Sequence, residues 1–226
     1  VTDAPAALDV RDLRYAYAAI DGTPFALHVP ALTLAPGEQV LLTGDSGSGK
    51  STLLALIAGL LDAQSGQVNV AGQDVQALRG ASRDTFRGRR IGMIFQTHHL
   101  LAQMTATQNV ELALMFSDLP PAQHTDRARA LLQRLGIQAQ DRPAERLSLG
   151  QQQRVAIARA VACQPKLVLA DEPTSALDDH SSAASMDLIQ SVCRETGCAL
   201  LCASHDGRLS ERFARRVRMV DISKNT

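Results

Sequence analysis

Gln39-Val40-Leu41-Leu42-Thr43-Gly44-Asp45-Ser46-Gly47-Ser48-Gly49-Lys50-Ser51-Thr52 is the stretch whose reading decides the fold. Gln39–Thr43 reads as a short buried strand, and the apolar-rich run from Ser51 to Leu60 reads as a buried helix. Between them, Gly44 to Ser51 fits the spacing Gly-x4-Gly-Lys-Ser/Thr. Glycines let backbone N–H groups turn inward around phosphate oxygens, and the helix N-terminus adds partial positive charge there. Lys50 is expected to reach the β- and γ-phosphates of a nucleotide, and the Ser51 hydroxyl to bind Mg²⁺. At ordinary residue frequencies the fixed positions coincide in roughly one chain of this length in a hundred, and the strand-before, helix-after context makes chance rarer.

The surrounding pattern is that of an α/β domain with a mainly parallel sheet. Leu8–Val10, Val68–Val70, Ile91–Phe95, Leu167–Ala170 and Ala199–Ala203 read as further strands. The last two are apolar on both faces and so belong in the centre of the sheet. Residues Gln103 to Arg146 lack strand alternation and carry two helical faces, Val110/Leu112/Ala113/Leu114 and Ala128/Leu131/Leu132/Leu135. They read as a helical lobe inserted between two strands of the main sheet.

With 226 residues, 45% of them hydrophobic, the chain can bury one sizeable core or two joined lobes. Its formal net charge is zero, which argues against a protein that grips nucleic acid through phosphates. The longest aliphatic run, Leu53 to Leu61, is far shorter than the roughly 20 residues of a membrane span. Val1–Leu8 has neither a basic nor an apolar leader segment, so no secretory signal is expected. Cys163, Cys193, Cys198 and Cys202 form no Cys-x-x-Cys pair and read as reduced apolar residues of a cytosolic protein.

Asp171-Glu172 ends the strand Leu167–Ala170. Adjacent strand residues point opposite ways, so the two carboxylates are expected to do different jobs at the sheet edge where α/β proteins place ligands. Asp171 is the expected Mg²⁺ partner, and Glu172 the group that orients or deprotonates an attacking water. Gln96 and His205 follow two other strands of the same sheet, which places them near the γ-phosphate.

Leu147-Ser148-Leu149-Gly150-Gln151-Gln152-Gln153-Arg154-Val155-Ala156-Ile157-Ala158-Arg159-Ala160 resembles the signature of ABC ATPases. The phosphate loop, Gln96, this segment, Asp171–Glu172, Ser175-Ala176-Leu177-Asp178 and His205 occur in that family's order along the whole chain. The resemblance implies a P-loop NTPase (RecA-like) core, an N-terminal antiparallel β subdomain and an inserted α-helical subdomain. The core and β subdomain would occupy about 1–96 and 160–226 and the helical subdomain about 97–159 of a single ABC ATPase domain.

It implies ATP and Mg²⁺ as ligands and hydrolysis of ATP to ADP and phosphate. Gly44, Asp45, Ser46, Gly47, Ser48, Gly49, Lys50, Ser51 and Thr52 would hold the nucleotide, with Tyr17 stacked on adenine and Tyr15 as the neighbouring alternative. Ser51, Gln96 and Asp171 would surround the metal, and Glu172, His205 and Gln96 would serve catalysis. Two ATPase subunits, identical or paired as a heterodimer, would pack head to tail. Each ATP would then meet Ser148, Gly150, Gln151 and Asp178 of the other subunit. The partner beyond the dimer would be an integral membrane permease, with the ATPase at the cytoplasmic face of the membrane.

Leu149 departs from the family pattern, where Gly is usual; Ser148 and Gly150 keep the pattern, so the site is expected to work, with weaker ATP-dependent closure. Ile91–Gln96, Thr105-Ala106 and Asn109-Val110-Glu111 are similar to the lipoprotein-releasing, macrolide-exporting and cell-division branch (LolD/MacB/FtsE-like). Ser175-Ala176 is instead similar to amino-acid importers, which leaves an importer as the alternative. A soluble non-transport ABC ATPase is the weaker one, because this chain has one cassette and no heptad run. His98-His99 has no metal-ligand spacing, and Arg83, Arg87, Arg89 and Arg90 read as a solvated basic face. The apolar loop from Gln96 to Met104 is the expected contact with the permease.

Overall fold

Every side chain of the strand Ala199–Ser204 is buried, as are Leu167–Ala170 in the strand before it. Strands so apolar on both faces can sit only inside a sheet covered on both sides. In the computed structural model, which describes residues 5–18, 24–175 and 179–223, they form the middle of a five-stranded parallel sheet. In order across it run β6 (Ile91–Ile94), β7 (Leu167–Asp171), β8 (Ala199–Ser204), β3 (Gln39–Thr43) and β9 (Arg215–Arg218). The pleat sends alternate residues to opposite cores. Leu41, Val168, Ala170, Leu200 and Cys202 join one, while Val40, Leu42, Leu167, Leu169 and Leu201 join the other.

A second, antiparallel sheet has the order β2 (Pro24–Leu34), β1 (Leu8–Ala18), β4 (Ser65–Val70), β5 (Gln73–Asp74). It shares the core that holds α1 (Lys50–Ile57), whose Leu53, Leu54, Leu56 and Ile57 are fully or almost fully buried. β2 escaped the sequence reading because Pro24 and Pro30 argue against a strand. It is an edge strand, where a missing N–H need not break a ladder, and Leu27, Val29, Leu32 and Leu34 are its buried residues.

The opposite core packs α3 (Ala106–Leu114), α4 (His124–Arg134) and α5 (Leu149–Val161), together with α6 (Asp179–Thr196), onto the sheet. As expected, α3 and α4 lie in the chain between β6 and β7; the one strand-like feature there is an isolated bridge, Thr105 to Pro143. α5 begins at Leu149. The Ser148 hydroxyl caps it by accepting from the Gln151 N–H at 3.3 Å, while the Gln151 side chain accepts from the Ser148 N–H at 3.0 Å. The Ser-x-x-Gln spacing of such a capping box was legible in the sequence.

Arg83 corrects the expectation of a solvated basic face. It lies in α2 (Gly80–Arg90) with 9% of its surface exposed. Its guanidinium pairs with Asp62 at 2.8 Å and donates to the carbonyls of Leu78 and Gly59. Helix α1 ends in free carbonyls that need partners, and Gln76 supplies another. Its amide donates to Leu56 O at 2.7 Å and Leu61 O at 3.1 Å and accepts from the Ala63 N–H at 3.0 Å. Gln76→Ala leaves those buried groups unpaired. It is expected to cost about 2 kcal/mol or more of stability, read from urea unfolding. A loss within experimental error would show that α1 is not anchored there.

Candidate active site

The strand β3 delivers the chain to a tight turn, and α1 begins immediately beyond it. Gly49, the residue capping α1, has φ 94°, and a Cβ there would lie 2.9 Å from the Phe25 ring. Both the left-handed backbone and the close approach require glycine. Gly47, at φ 79°, turns the loop two residues earlier. Lys50 is buried, 6% exposed, and its ammonium donates to Gly44 O at 2.7 Å and Asp45 O at 3.1 Å.

A cavity of about 380 Å³ opens over this loop. It gathers Ser46, Gly47, Gly49, Lys50, Ser51 and Thr52 from the loop and α1, Gln96 from beyond β6, and Glu172 and His205 from beyond β7 and β8. Tyr17 and Phe25 form its aromatic side, with ring centroids 5.1 Å apart. Of the two tyrosines, Tyr17 lines the cavity. Phe25 was missed with its strand; the contact with Gly49 is tertiary and leaves no sequence signal. Gly44, Asp45 and Ser48 line an adjoining space of about 450 Å³, which His205 also borders. Asp178 lies outside the described residues.

Asp171 and Glu172 diverge for a reason other than strand alternation. β7 ends at Asp171, and Glu172 turns to φ 45°, a left-handed conformation that costs a non-glycine residue about 1 kcal/mol or more. The turn brings its Oε1 to 3.7 Å from the Lys50 ammonium. Oε1 also accepts from the His205 backbone N–H at 3.1 Å and lies 2.7 Å from His205 Nδ1. A carboxylate can only accept, so Nδ1 carries the proton in that contact. Ser204, which sequence reasoning missed, donates its hydroxyl to Oε2 at 3.0 Å.

Asp171 Oδ1 is buried and has no hydrogen-bond partner among the described residues. Burial raises its carboxyl above the ordinary range, the Ser51 hydroxyl lowers it, the Glu172 charge raises it and Lys50 lowers it. An orphaned carboxylate oxygen next to a serine hydroxyl, under a lysine-bearing loop, fits a hard cation held by oxygen ligands beside phosphate. Two anchors hold α5 to this region. Buried Gln153 donates to Pro173 O at 2.8 Å, just beyond Glu172. Arg159 donates to His99 O at 2.5 Å and His98 O at 2.6 Å, just beyond Gln96. Ser148, Gly150 and Gln151 are not among the residues lining the cavity.

A buried lysine in a glycine turn, an orphaned acid and a second carboxylate at the ends of parallel strands define a P-loop ATPase site. The profile of the ABC transporter family matches residues 27–175, and this chain belongs to that family. It is an ATP-binding and ATP-hydrolysing subunit of an ABC transporter. It is 45% identical over 193 residues to the lipoprotein-releasing system ATP-binding protein LolD 1 of Caulobacter vibrioides, covering 84% of this chain and 82% of that one. The ATP-binding cassette MJ0796, in a dimeric post-hydrolysis state bound to ADP and Pi, shares 30% identity with a TM-score of 0.79 over 93% of both chains. CbiO1 of Clostridium perfringens, part of an ABC transporter complex, shares 31% identity with a TM-score of 0.75, over 89% of this chain and 79% of that one.

The orphaned acid has a stability consequence of definite sign. A carboxyl raised by folding makes its ionised form costly above the folded pKa, and the cost fades as pH falls toward the unfolded value. Asp171→Asn is expected to raise the nucleotide-free Tm at pH 7, with the gain shrinking toward pH 4. Scanning fluorimetry across pH tests this. A lower Tm at pH 7 would contradict the geometry.

Proposed function

We propose that this chain works as a pair of ATPase subunits that close over two shared ATP molecules and drive a separate membrane permease of the lipoprotein-release or mechanotransmission type. The observation that carries this reading is the divided site. One cavity collects Lys50, Ser51, Gln96, Glu172 and His205, while the N-terminus of α5 stands outside it with open space above Gly150. Among the described residues, and apart from its own helix and neighbours, nothing lies within 4 Å of a Cβ built on Gly150, so packing does not require glycine there. Glycine inside a helix costs about 0.5–1 kcal/mol relative to alanine. An incoming phosphate from a second subunit explains it.

In this reading Lys50 turns from the Gly44 and Asp45 carbonyls to the β- and γ-phosphates, and the N–H groups of the loop and α1 cradle them. Tyr17, backed by Phe25, stacks on adenine. Ser51, Asp171 and Gln96 hold Mg²⁺, which supplies charge neutralisation on the phosphates. Glu172, released from Lys50, orients or deprotonates the attacking water, and His205 faces the γ-phosphate with its Nε2 edge. Ser148, Gly150 and Gln151 of the second subunit close the site, with Asp178 at the seam.

The helical segment of about 97–159 carries this closure to the permease. Arg159 ties α5 to the loop beyond Gln96, so the signature and the Gln96–Met104 loop move together. That loop exposes Leu101, and a groove of about 360 Å³ beside it is lined by Leu60, Phe95, His99 and Phe116. Among the described residues no helix is long and apolar enough to cross a membrane. Membership of the ABC transporter family supports a permease beside the ATPase and a peripheral place at the cytoplasmic face. The likeness to the lipoprotein-releasing ATPase of Caulobacter supports the branch.

Glu172→Gln is expected to keep ATP binding, to slow hydrolysis by about 10²–10⁴ and to run as a dimer with ATP and Mg²⁺ but a monomer with ADP. Light scattering after size exclusion reads the mass. Equal mass in both nucleotides would count against the shared site, and undiminished hydrolysis would remove Glu172 from the chemistry. Lys50→Ala is expected to abolish ATP binding in a nucleotide titration; wild-type affinity would overturn the cradle itself.

A further inference from the structure

The segment 79–90 carries five arginines, Arg79, Arg83, Arg87, Arg89 and Arg90, against one acid, Asp84, in a chain whose formal net charge is zero. The fold neutralises only part of this excess. Arg83 pairs with Asp62, Arg87 with Asp84 and Arg89 with Asp118. Arg79 folds back onto the carbonyls of Gln76 and Leu78, which bond its guanidinium without cancelling its charge. Arg90 is exposed, and among the described residues no carboxylate pairs with it.

The 3.6-residue period divides α2 into two flanks. Asp84, Arg87 and Gly88 border the groove beside Phe95 and Phe116. Ser82, Thr85, Arg89 and Arg90 border a second hollow of about 510 Å³, whose apolar part is Leu78, Ala81 and Phe86. None of the residues lining that hollow is acidic. From Ser82 to Arg90 the helix rises about 12 Å, the scale of a lipid headgroup with the first methylenes of its chains. The helix is also held in place: Arg83 and Arg87 both donate to the Gly59 carbonyl at the end of α1.

We propose that this flank of α2 binds anionic phospholipid at the membrane surface, with Arg89 and Arg90 on the phosphodiester and the first methylenes against Leu78, Ala81 and Phe86. Two guanidiniums with no carboxylate beside them complement a phosphodiester, whose oxygens match their forked donors. A free phosphate would leave the apolar floor unused. Nucleic acid fits less well, because the one aromatic ring of the hollow, Phe86, packs against the core rather than standing free to stack on a base. The position agrees. The other flank of α2 borders the groove assigned above to the permease, and, resting on that reading, a surface next to a membrane-embedded partner faces the bilayer.

The test is cosedimentation of the whole chain, without nucleotide or permease, with vesicles of phosphatidylcholine alone or mixed in equal parts with phosphatidylglycerol. Binding is expected to the mixed vesicles only, and is expected to weaken as salt rises. A single arginine near an anionic surface is worth about fivefold in partition. Arg90→Gln is therefore expected to weaken binding about fivefold, and Arg90→Glu about twentyfold or more. Ala81→Glu alters no arginine and places its acid in the first turn of α2, where the helix tolerates it; it is expected to weaken binding at least as much as Arg90→Gln. The ATPase rate and Tm of these variants are expected to match the parent, which separates a lost contact from a folding defect. Arg216→Gln makes the same charge change on β9, at the opposite edge of the main sheet from β6, and is expected to bind as the parent does. An equal loss in Arg216→Gln, or equal binding to both vesicles, overturns the proposal. Displacement by sodium phosphate beyond that by sodium chloride of the same ionic strength assigns the hollow to a free phosphate and overturns the lipid. A DNA duplex bound as tightly as the mixed vesicles does so too. Failure to bind any vesicle overturns this proposal alone, since the measurement involves neither permease nor pairing. A Glu172→Gln chain that stays monomeric with ATP overturns the shared site and leaves this one standing.

Discussion

A single buried ammonium organises this molecule. Lys50 is 6% exposed and is surrounded by carbonyl oxygens and the Glu172 carboxylate. A charge so placed must be compensated from within, since removing it from water costs several kcal/mol unless hydrogen bonds replace the lost hydration. The Gly44 and Asp45 carbonyls can do so only if the loop curls back over the lysine. That curl requires Gly47 and Gly49 in left-handed conformations and α1 starting at Lys50 itself. The rest follows: β3 must end at Thr43, and α1 must be held from behind. Gln76, Arg83 and Arg87 do that by taking the carbonyls at its far end.

Glu172 is bound into the same arrangement. Its left-handed backbone, the hydrogen bonds from His205 and Ser204 and its approach to Lys50 converge on one carboxylate. In the structure the Glu172 carboxylate lies against the lysine. On the proposed mechanism, a nucleotide that draws Lys50 toward its phosphates frees one side of Glu172 at the same moment. Binding and the freeing of the base are then one event, because both depend on where one ammonium is directed.

Much of this was legible in the sequence, where the physics is local. The glycine spacing with its lysine located the loop, and the doubly apolar runs of β7 and β8 located the centre of the sheet. Gln96, Asp171 and His205 could be placed because chain ends of parallel strands gather at one edge. What was not legible depended on partners distant in sequence. Phe25 joins the cavity through a strand that its prolines disguised. Arg83 looks like surface in a run of arginines until Asp62 and the end of α1 are brought beside it. The divergence of Glu172 from Asp171 was expected from strand alternation, but it comes from a turn that no alternation rule contains. Leu149 reads as a loss of backbone freedom in the sequence, yet it lies in the first turn of α5, which the Ser148–Gln151 capping box starts.

The anchors of α5 explain why the site is divided between subunits on the proposed reading. Gln153 holds the helix to Pro173, and Arg159 holds it to His98 and His99. These are hydrogen bonds of buried or half-buried groups to backbone, and breaking either strands a polar group, at a cost of about 1–3 kcal/mol. With both in place the first turn of α5 stays outside its own cavity. Ser148 and Gly150 therefore have no route to their own Lys50 short of rebuilding the helix. A polyanion bound over Lys50 still leaves phosphate oxygens facing out of the cavity, and on the proposed reading the first turn of α5 of a second copy supplies donors to them. Two copies satisfy both needs at once, each lending its idle helix to the other's phosphate. The closure is then cooperative by construction: one protein–protein contact completes two sites, and the loop beyond Gln96, fixed to the same helix through Arg159, moves with it.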